Sequence, residues 1–252
     1  GVALKFEASV AGSIPIVNAI NNGLNANNIS KFMGIFNGTS NFILSKMTHE
    51  QTTFKDALEE AQRLGFAEAD PTDDVEGVDA ARKVVITSYL SFNQVIKLND
   101  VKLVGISDIT LADINAASAL NYKIKSIGKG TYENGYVNAS VEPTLIHKNH
   151  QLAAVENEYN AIYVIGDAVG DTMFYGKGAG SLATGSAVVS DLLNVALFFE
   201  SNLHTLPPHF ELKTEETKEM MDGAEPVVIQ EKSNYYIVIS NNNKSLDRKS
   251  VV

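Results

Sequence analysis

The sequence predicts an α/β (α+β) protein, a mixed β-sheet covered by helices, on three observations. Strand-like and helix-like stretches interleave along the chain. Two pairs of strand-like segments flank turn residues, one at Glu133-Asn134-Gly135 and one between Gly166 and Gly170, and both read as hairpins. Hydrophobic residues make up 44% of the 252 and charged residues 20%, the balance of a chain that folds around a core. At roughly 150 residues per domain, this length allows one large domain, or one domain and a fragment.

Taken in order, residues 2–10 alternate loosely and predict a strand. Gly12-Ser13-Ile14-Pro15 predicts a turn into a helix that ends near Gly23, with Pro15 at the start, where its missing N–H costs nothing. A strand over 29–36 breaks at Asn37-Gly38. Thr39 or Ser40 then caps a helix to about Met47. Thr53 opens the next helix with Asp56 three residues on, and Gly65 closes it as its left-handed C′ residue. After an acidic loop, Thr72 or Asp73 caps one long helix to about Phe92. A short strand over 100–107, a helix over 110–120, strands over 122–127 and 136–142, and the hairpin of 161–166 with 172–175 follow. A Gly-rich stretch, Gly176-Lys177-Gly178-Ala179-Gly180, leads into an apolar helix, Ser181–Phe198. Beyond about Glu200 the composition shifts to a Pro207-Pro208 linker, a charged short helix over 213–221 and a single strand over 231–240. The expected division is a main domain over 1–200, a linker over 201–224 and the truncated start of another module over 225–252.

Composition excludes several functions. There is no cysteine, which removes disulfides, thiolate metal sites and cysteine nucleophiles together, and fits a reducing compartment. A net charge of −10, with no basic stripe, argues against nucleic-acid binding. No apolar run is read as long enough to span a bilayer, and the N-terminus lacks the apolar region of a signal peptide, so no membrane partner is expected. The first residue is not methionine and falls inside an expected strand, so the chain reads as a piece of a longer protein. Sequons at Asn28, Asn37, Asn138 and Asn243 are read as chance in an asparagine-rich chain. The histidines at 49, 147, 150, 204 and 209 show no metal-ligand spacing and receive no role.

The stretch from Ala61 to Lys83 is the most informative. Glu68, Asp70, Asp73, Asp74 and Asp79 crowd into a loop and a helix start. One or two acids satisfy a helix N-terminus; more repel one another unless cations or a ligand amine offset them. Asp79 and Lys83 lie four apart on one helix face, which by itself reads as a surface ion pair worth ~0.3–0.5 kcal/mol. Val75, Val78, Ala80 and Ala81 argue instead for a largely buried helix with this pair in a cleft.

This stretch resembles the signature of homoserine dehydrogenase, A-x3-G-aromatic-x-small spacer-D-P-x2-D-aliphatic-x-G-x-D-x3-K, and meets it at Ala61, Gly65, Asp70-Pro71, Asp74, Gly77, Asp79 and Lys83. Glu7 to Pro15, Gly34 to Phe42 and the Gly176–Gly180 segment also resemble the family, and the likeness runs collinearly over about 1–200. Neither the strand–GxGxxG–helix unit of the family's nucleotide-binding domain nor the lysine it carries is found. The tail resembles the opening of an ACT domain.

The resemblance implies interconversion of aspartate 4-semialdehyde and homoserine with NAD(P), serving threonine, methionine and isoleucine synthesis in a cytoplasm. It implies Lys83 as the general acid, with Asp79 orienting it; Glu68 and Asp74 toward the substrate ammonium; Gly38 and Thr39 as substrate contacts; and Gly178 and Gly180 near the cofactor. It also implies Na+ on Glu7 and the carbonyls of Val10, Gly12 and Ile14, a helix after Gly180 that packs on the nucleotide domain, and a homodimer. The fragment alone is expected to be inactive. The rival readings are a Schiff-base lyase using Lys83 and a non-catalytic amino-acid sensor.

Overall fold

The computed structural model describes residues 4–200, 234–238 and 247–251. Its strands are β1 (Ile29–Ile35), β2 (Lys102–Leu103), β3 (Tyr122–Glu133), β4 (Tyr136–His147), β5 (Tyr159–Gly166), β6 (Gly170–Lys177), β7 (Asn234–Val238) and β8 (Asp247–Val251). They form one sheet in the order β6-β5-β1-β3-β4-β8-β7, with β2 beside β4. The β2 and β8 pairings to β4 are parallel and the rest antiparallel, so the sheet is mixed, as the sequence predicts.

The helices are α1 (Ile16–Asn18), α2 (Gly38–Glu50), α3 (Phe54–Arg63), α4 (Thr72–Val75), α5 (Val78–Phe92), α6 (Leu111–Ala119) and α7 (Ser181–Glu200). Strand periodicity assigns the two sheet faces. Phe32, opposite Val164 on β5 and Gly130 on β3, joins a buried cluster with Phe36, Ala80, Ala81, Val84 and Phe92, which seats α5 on the sheet. Ile124 and Leu145 pack on the same face beneath α2, α3 and α6. Met33 and Ile35 point the other way, to Ile127, Ile146 and Tyr163, beneath Leu152 and Ala153 of the 3-10 turn Gln151–Ala154.

Both hairpins form, and both run longer than the sequence predicts. β3 and β4 pair from Glu133↔Tyr136 to Tyr122↔His147. Asn134 (φ 53) and Gly135 (φ 86) both take positive φ, which a type I′ turn requires. Thr53 caps α3 through Asp56, and Gly65 (φ 78) follows the helix as its left-handed residue. Thr110 opens α6 in a capping box with Asp113.

Other expectations are corrected. In place of a strand over 2–10, Glu7–Ser9 is a 3-10 turn, because the Glu7 carboxylate reaches the amides that open α1. The long helix is two, α4 and α5, broken at Glu76-Gly77 with Gly77 at φ 82. Only residues 102 and 103 of the strand over 100–107 pair. Asn37, rather than Thr39 or Ser40, caps α2. The tail strand expected over 231–240 forms as β7, and a second strand, β8, follows it, while the linker over 201–224 and the helix over 213–221 lie outside the described residues.

The reading of membrane-spanning length is also corrected. Ser181–Phe198 is long and apolar enough, by length and composition, to cross a membrane, with a mean hydropathy of 1.4. Leu182, Leu192, Leu193 and Leu197 on it are exposed. Its one carboxylate, Asp191, accepts the Glu7 amide at 2.8 Å, which ties α7 to the first described turn.

Phe32 is fully buried, stacked on Phe92 at 5.6 Å and edge-on to Phe36 at 6.1 Å. Phe32→Ala is expected to destabilise the fold by about 3–5 kcal/mol, the range for a large-to-Ala cavity. Urea denaturation checks this, and a loss under about 1 kcal/mol would mean that the α5–sheet seam is not the main core.

Candidate active site

The end of β1, the starts of α2 and α5, the loop over 65–74, the start of β5 and the loop between β6 and α7 enclose a cleft of about 760 Å³. Lys83, Asp79, Asp74, Glu68, Thr39, Gly38, Gly178 and Gly180 all line it, so the structure brings the whole expected catalytic, substrate and cofactor set into one space. The metal-implied residues Glu7, Val10, Gly12 and Ile14 do not line it.

The Lys83–Asp79 pair lies on its wall. The Lys83 Nζ donates to Asp79 Oδ2 at 2.6 Å and to the carbonyl of Phe36 at 3.0 Å. The lysine side chain is 19% exposed and the aspartate 30%, so the pair is partly withdrawn from solvent rather than open on the surface. An ammonium carries three donors. Two are held here, so the amine is fixed in direction where it lines the cleft, unlike a mobile surface charge.

Sequence reasoning missed the residue that joins these acids. The Asn37 side chain accepts the Ser40 amide at 2.9 Å, capping α2. Its amide nitrogen donates to Asp74 Oδ1 at 2.7 Å and Asp79 Oδ2 at 3.0 Å. One neutral amide therefore bridges two carboxylates that would otherwise repel. The available signal was its place just before Gly38 at a strand end, which was read only as a break. Arg82, paired with Asp73 at 2.5 Å, and Glu158, Asn160 and Lys177 also line the cleft and were not singled out.

On the loop side, Glu68 is exposed and its backbone carbonyl accepts Gln62 Nε2 at 3.0 Å. Asp70 is held below the usual carboxylate range by the Thr72 hydroxyl and then the Thr72 amide. Thr39 gives its hydroxyl to the Phe66 carbonyl at 2.6 Å, which leaves its backbone as the group to meet a ligand. A Cβ at Gly38 would lie 2.6 Å from the Glu158 carbonyl, so only glycine lets these two walls meet.

The Gly178 side of the cleft rests on the first turns of the chain. A Cβ at Gly12 (φ 51) would fall 2.3 Å from the Gly178 carbonyl, and Ser13 donates its amide and hydroxyl to the Lys177 carbonyl at 3.2 and 2.8 Å. Beneath Gly178, the Asn160 side-chain amide is buried against the glycine, where a Cβ would fall 2.2 Å from it, so the loop lies directly on that side chain. Glu7 is buried, and both its oxygens accept amides at 2.8 Å, from Val17 and Asn18. Burial raises its pKa, opposed by those amides. The expected cation set of Glu7 with the carbonyls of Val10, Gly12 and Ile14 is all oxygen, which suits a hard cation, but both Glu7 oxygens and the Ile14 carbonyl, which takes the Ile16 amide at 2.7 Å, already accept hydrogen bonds. Among the described residues, no group of three or more His, Cys, Asp or Glu is arranged to hold a metal ion.

Comparison with known proteins gives a consistent result. The family model described as homoserine dehydrogenase matches residues 15–193. The chain is 53% identical over 195 residues to homoserine dehydrogenase of Bacillus subtilis (strain 168), covering 77% of this chain and 45% of that protein. It is similar to the crystal structure of S. aureus homoserine dehydrogenase at pH 8.5, with a TM-score of 0.75 and 72% identity, over 97% of this chain and 54% of that one. It is also similar to a hyperthermophilic archaeal homoserine dehydrogenase mutant in complex with NADPH, with a TM-score of 0.64 and 29% identity, over 76% and 55% of the two chains. The chain spans about half the length of these relatives.

Asn37→Asp keeps an acceptor for the Ser40 amide but sets a third carboxylate against Asp74 and Asp79. It is expected to lose about 1–4 kcal/mol at pH 7, the span for like charges ~4 Å apart between bulk water and a protein surface. Its neighbours would raise the folded-state pKa of the new acid. The loss should therefore shrink, relative to the unsubstituted chain, as pH falls through that raised value. Urea denaturation at pH 7 and pH 5 measures it, and equal stability at both would mean that Asn37 is only a cap.

Proposed function

The chain belongs to the homoserine dehydrogenase family, and on that premise we propose that it is the substrate-binding and catalytic half of such an enzyme, interconverting aspartate 4-semialdehyde and homoserine with NAD(P). The carrying observation is Lys83, anchored by Asp79 and the Phe36 carbonyl and lining an acid-rimmed cleft. A bound nicotinamide supplies the hydride, or accepts it in reverse. Lys83 gives the proton that the carbonyl oxygen needs on reduction and recovers it on oxidation. Asp79 fixes the amine's direction. Glu68 and Asp74 face the substrate ammonium as opposite charges, and the backbone at Gly38 and Thr39 accepts or donates beside them.

Gly178 and Gly180 form this chain's edge of the cofactor site, with the buried Asn160 amide supporting Gly178 from beneath. The nucleotide-binding portion belongs to the half of the relatives that this chain does not span. The exposed leucines of α7 suit packing against that portion rather than lipid, since a carboxylate tied to the Glu7 amide lies mid-helix. Sodium held by Glu7, Val10, Gly12 and Ile14 would brace the segment beneath Gly178. The working form is a homodimer, which covers an exposed sheet edge, and the enzyme acts in the cytoplasm on small molecules, without nucleic acid or membrane, in threonine, methionine and isoleucine synthesis. The domain division is 1–200 catalytic, 201–224 linker, and 225–252 the start of an ACT-like regulatory unit.

The full-length enzyme carrying this chain should oxidise NADPH with aspartate semialdehyde, whereas residues 1–252 alone should not. Lys83→Ala is expected to lower kcat by roughly 10²–10⁴, the contribution of a positioned acid, with cofactor affinity nearly unchanged. Glu68→Gln should mainly raise KM for homoserine. Full turnover by Lys83→Ala would sink the assignment, and a borohydride-trapped adduct on Lys83 would favour a Schiff-base enzyme.

A further inference from the structure

Outside the cleft, the structure buries a second lysine that the proposed chemistry does not use. Lys125, mid-β3, is 1% exposed. Its Nζ donates to the Val155 carbonyl at 2.6 Å, Asn41 Oδ1 at 3.1 Å and Glu156 Oε2 at 3.2 Å, with Ser45 Oγ at 3.5 Å. The Asn41 side chain, fixed by that lysine, donates in turn to the carbonyls of Val155, Asn157 and Tyr159 at 3.2, 2.9 and 3.2 Å. Ser45 accepts the Asn157 amide at 3.1 Å. Residues 155–159 are thus strapped to α2 by side chains that converge on one ammonium.

A buried ion pair is weak evidence for stability, because an apolar side chain of similar volume often serves the core as well. What an apolar side chain does not supply is direction, since it cannot draw carbonyls of one segment to one point. That segment leads straight to the cleft. The Glu158 carbonyl presses on Gly38, and Glu158 and Asn160 line the cavity.

We propose that Lys125 is a positioning residue for the substrate cleft, holding residues 155–160 against α2 so that Glu158 and Asn160 form one wall of it. The inference rests on the homoserine dehydrogenase reading for what the cleft binds. The charged groups facing Lys125 are Glu156 on the segment and Lys123 on its own strand; His49 on α2 meets Glu156 at 3.3 Å. Burial lowers Lys125 to about 8, against the pull of Glu156. Burial alone would raise Glu156, but the charge of Lys125 and the bonds from Lys123 and Ser45 bring it down to about 2. The ammonium is therefore present below about pH 8 and is lost above it, where the strap loses a donor.

The test uses the full-length enzyme and Lys125→Met. KM for homoserine should rise roughly tenfold, what the loss of about 1.4 kcal/mol of binding amounts to, with kcat within about twofold. In the unsubstituted enzyme KM should climb as pH passes about 8, and that limb should be missing in Lys125→Met. Hydrogen exchange at the amides of 155–160 should quicken in the variant. Unchanged KM and exchange with only a lower melting temperature would overturn the proposal. If Lys125→Met does not fold, Lys125→Gln, which keeps a donor toward Val155, replaces it with the same readouts. Should the unsubstituted enzyme not act on homoserine, the functional reading fails by itself, and the exchange comparison still decides whether Lys125 holds the wall.

Discussion

Four consecutive residues, from the end of β1 into the first turn of α2, hold the cleft together. The Phe36 carbonyl fixes Lys83, the Asn37 side chain bridges Asp74 and Asp79, Gly38 lets the Glu158 carbonyl approach, and the Thr39 hydroxyl holds the Phe66 carbonyl. Every wall described above except the Gly178 loop is tied to this turn. Its position is set by the core: Phe32 and Phe36 are anchored in the α5–sheet seam, so the chain emerges from β1 at a fixed point and angle. The turn can be exact because what precedes it is rigid.

The same turn resolves an electrostatic conflict. Asp73 and Asp74 lie in the first turn of α4 and Asp79 in that of α5, where helix N-termini favour negative charge. Helix ends are worth only about 0.3–1 kcal/mol each at exposed sites, too little to hold three close carboxylates. Arg82 on Asp73, Lys83 on Asp79 and the Asn37 amide on Asp74 and Asp79 account for the rest. Glu68 lines the same cleft but stands exposed at its rim, outside this inner network. The division into satisfied inner acids and a rim acid is what separates a cleft that orients a ligand from a mere cluster of charge.

Much of this was legible in the sequence because it is local. Alternating strands, the Asn134-Gly135 turn, the Thr53 and Thr110 caps and the Asp79–Lys83 spacing each depend on a few neighbouring residues. What was not legible depends on partners far along the chain. Asn37 meets Asp74 and Asp79 some forty positions away, and Lys125 meets Asn41 and Val155 across two connections. Glu7 defeats its own strand pattern by the same means, since its carboxylate accepts the Val17 amide of α1 ten residues on. The break at Gly77 falls between two segments that each read as helical, and its positive φ shows only in three dimensions.

These long-range ties also explain why the chain's first turns belong with the cleft although none of them lines it. Glu7 caps α1 with its side chain and reaches Asp191 of α7 with its amide. Five residues later, Gly12 and Ser13 lie against Gly178 and Lys177, just before α7 begins. The loop over 177–180 is therefore fixed from below by backbone contact, and the helix that follows it is fixed by a carboxylate one-half of its length away. A loop with two glycines in four residues would otherwise be the most mobile wall of the cleft. Bracing it from the 7–14 segment gives that segment a physical task with or without a bound cation: any ion held by Glu7, Val10, Gly12 and Ile14 would act on the cleft through the position of Gly178, and not through contact with the substrate.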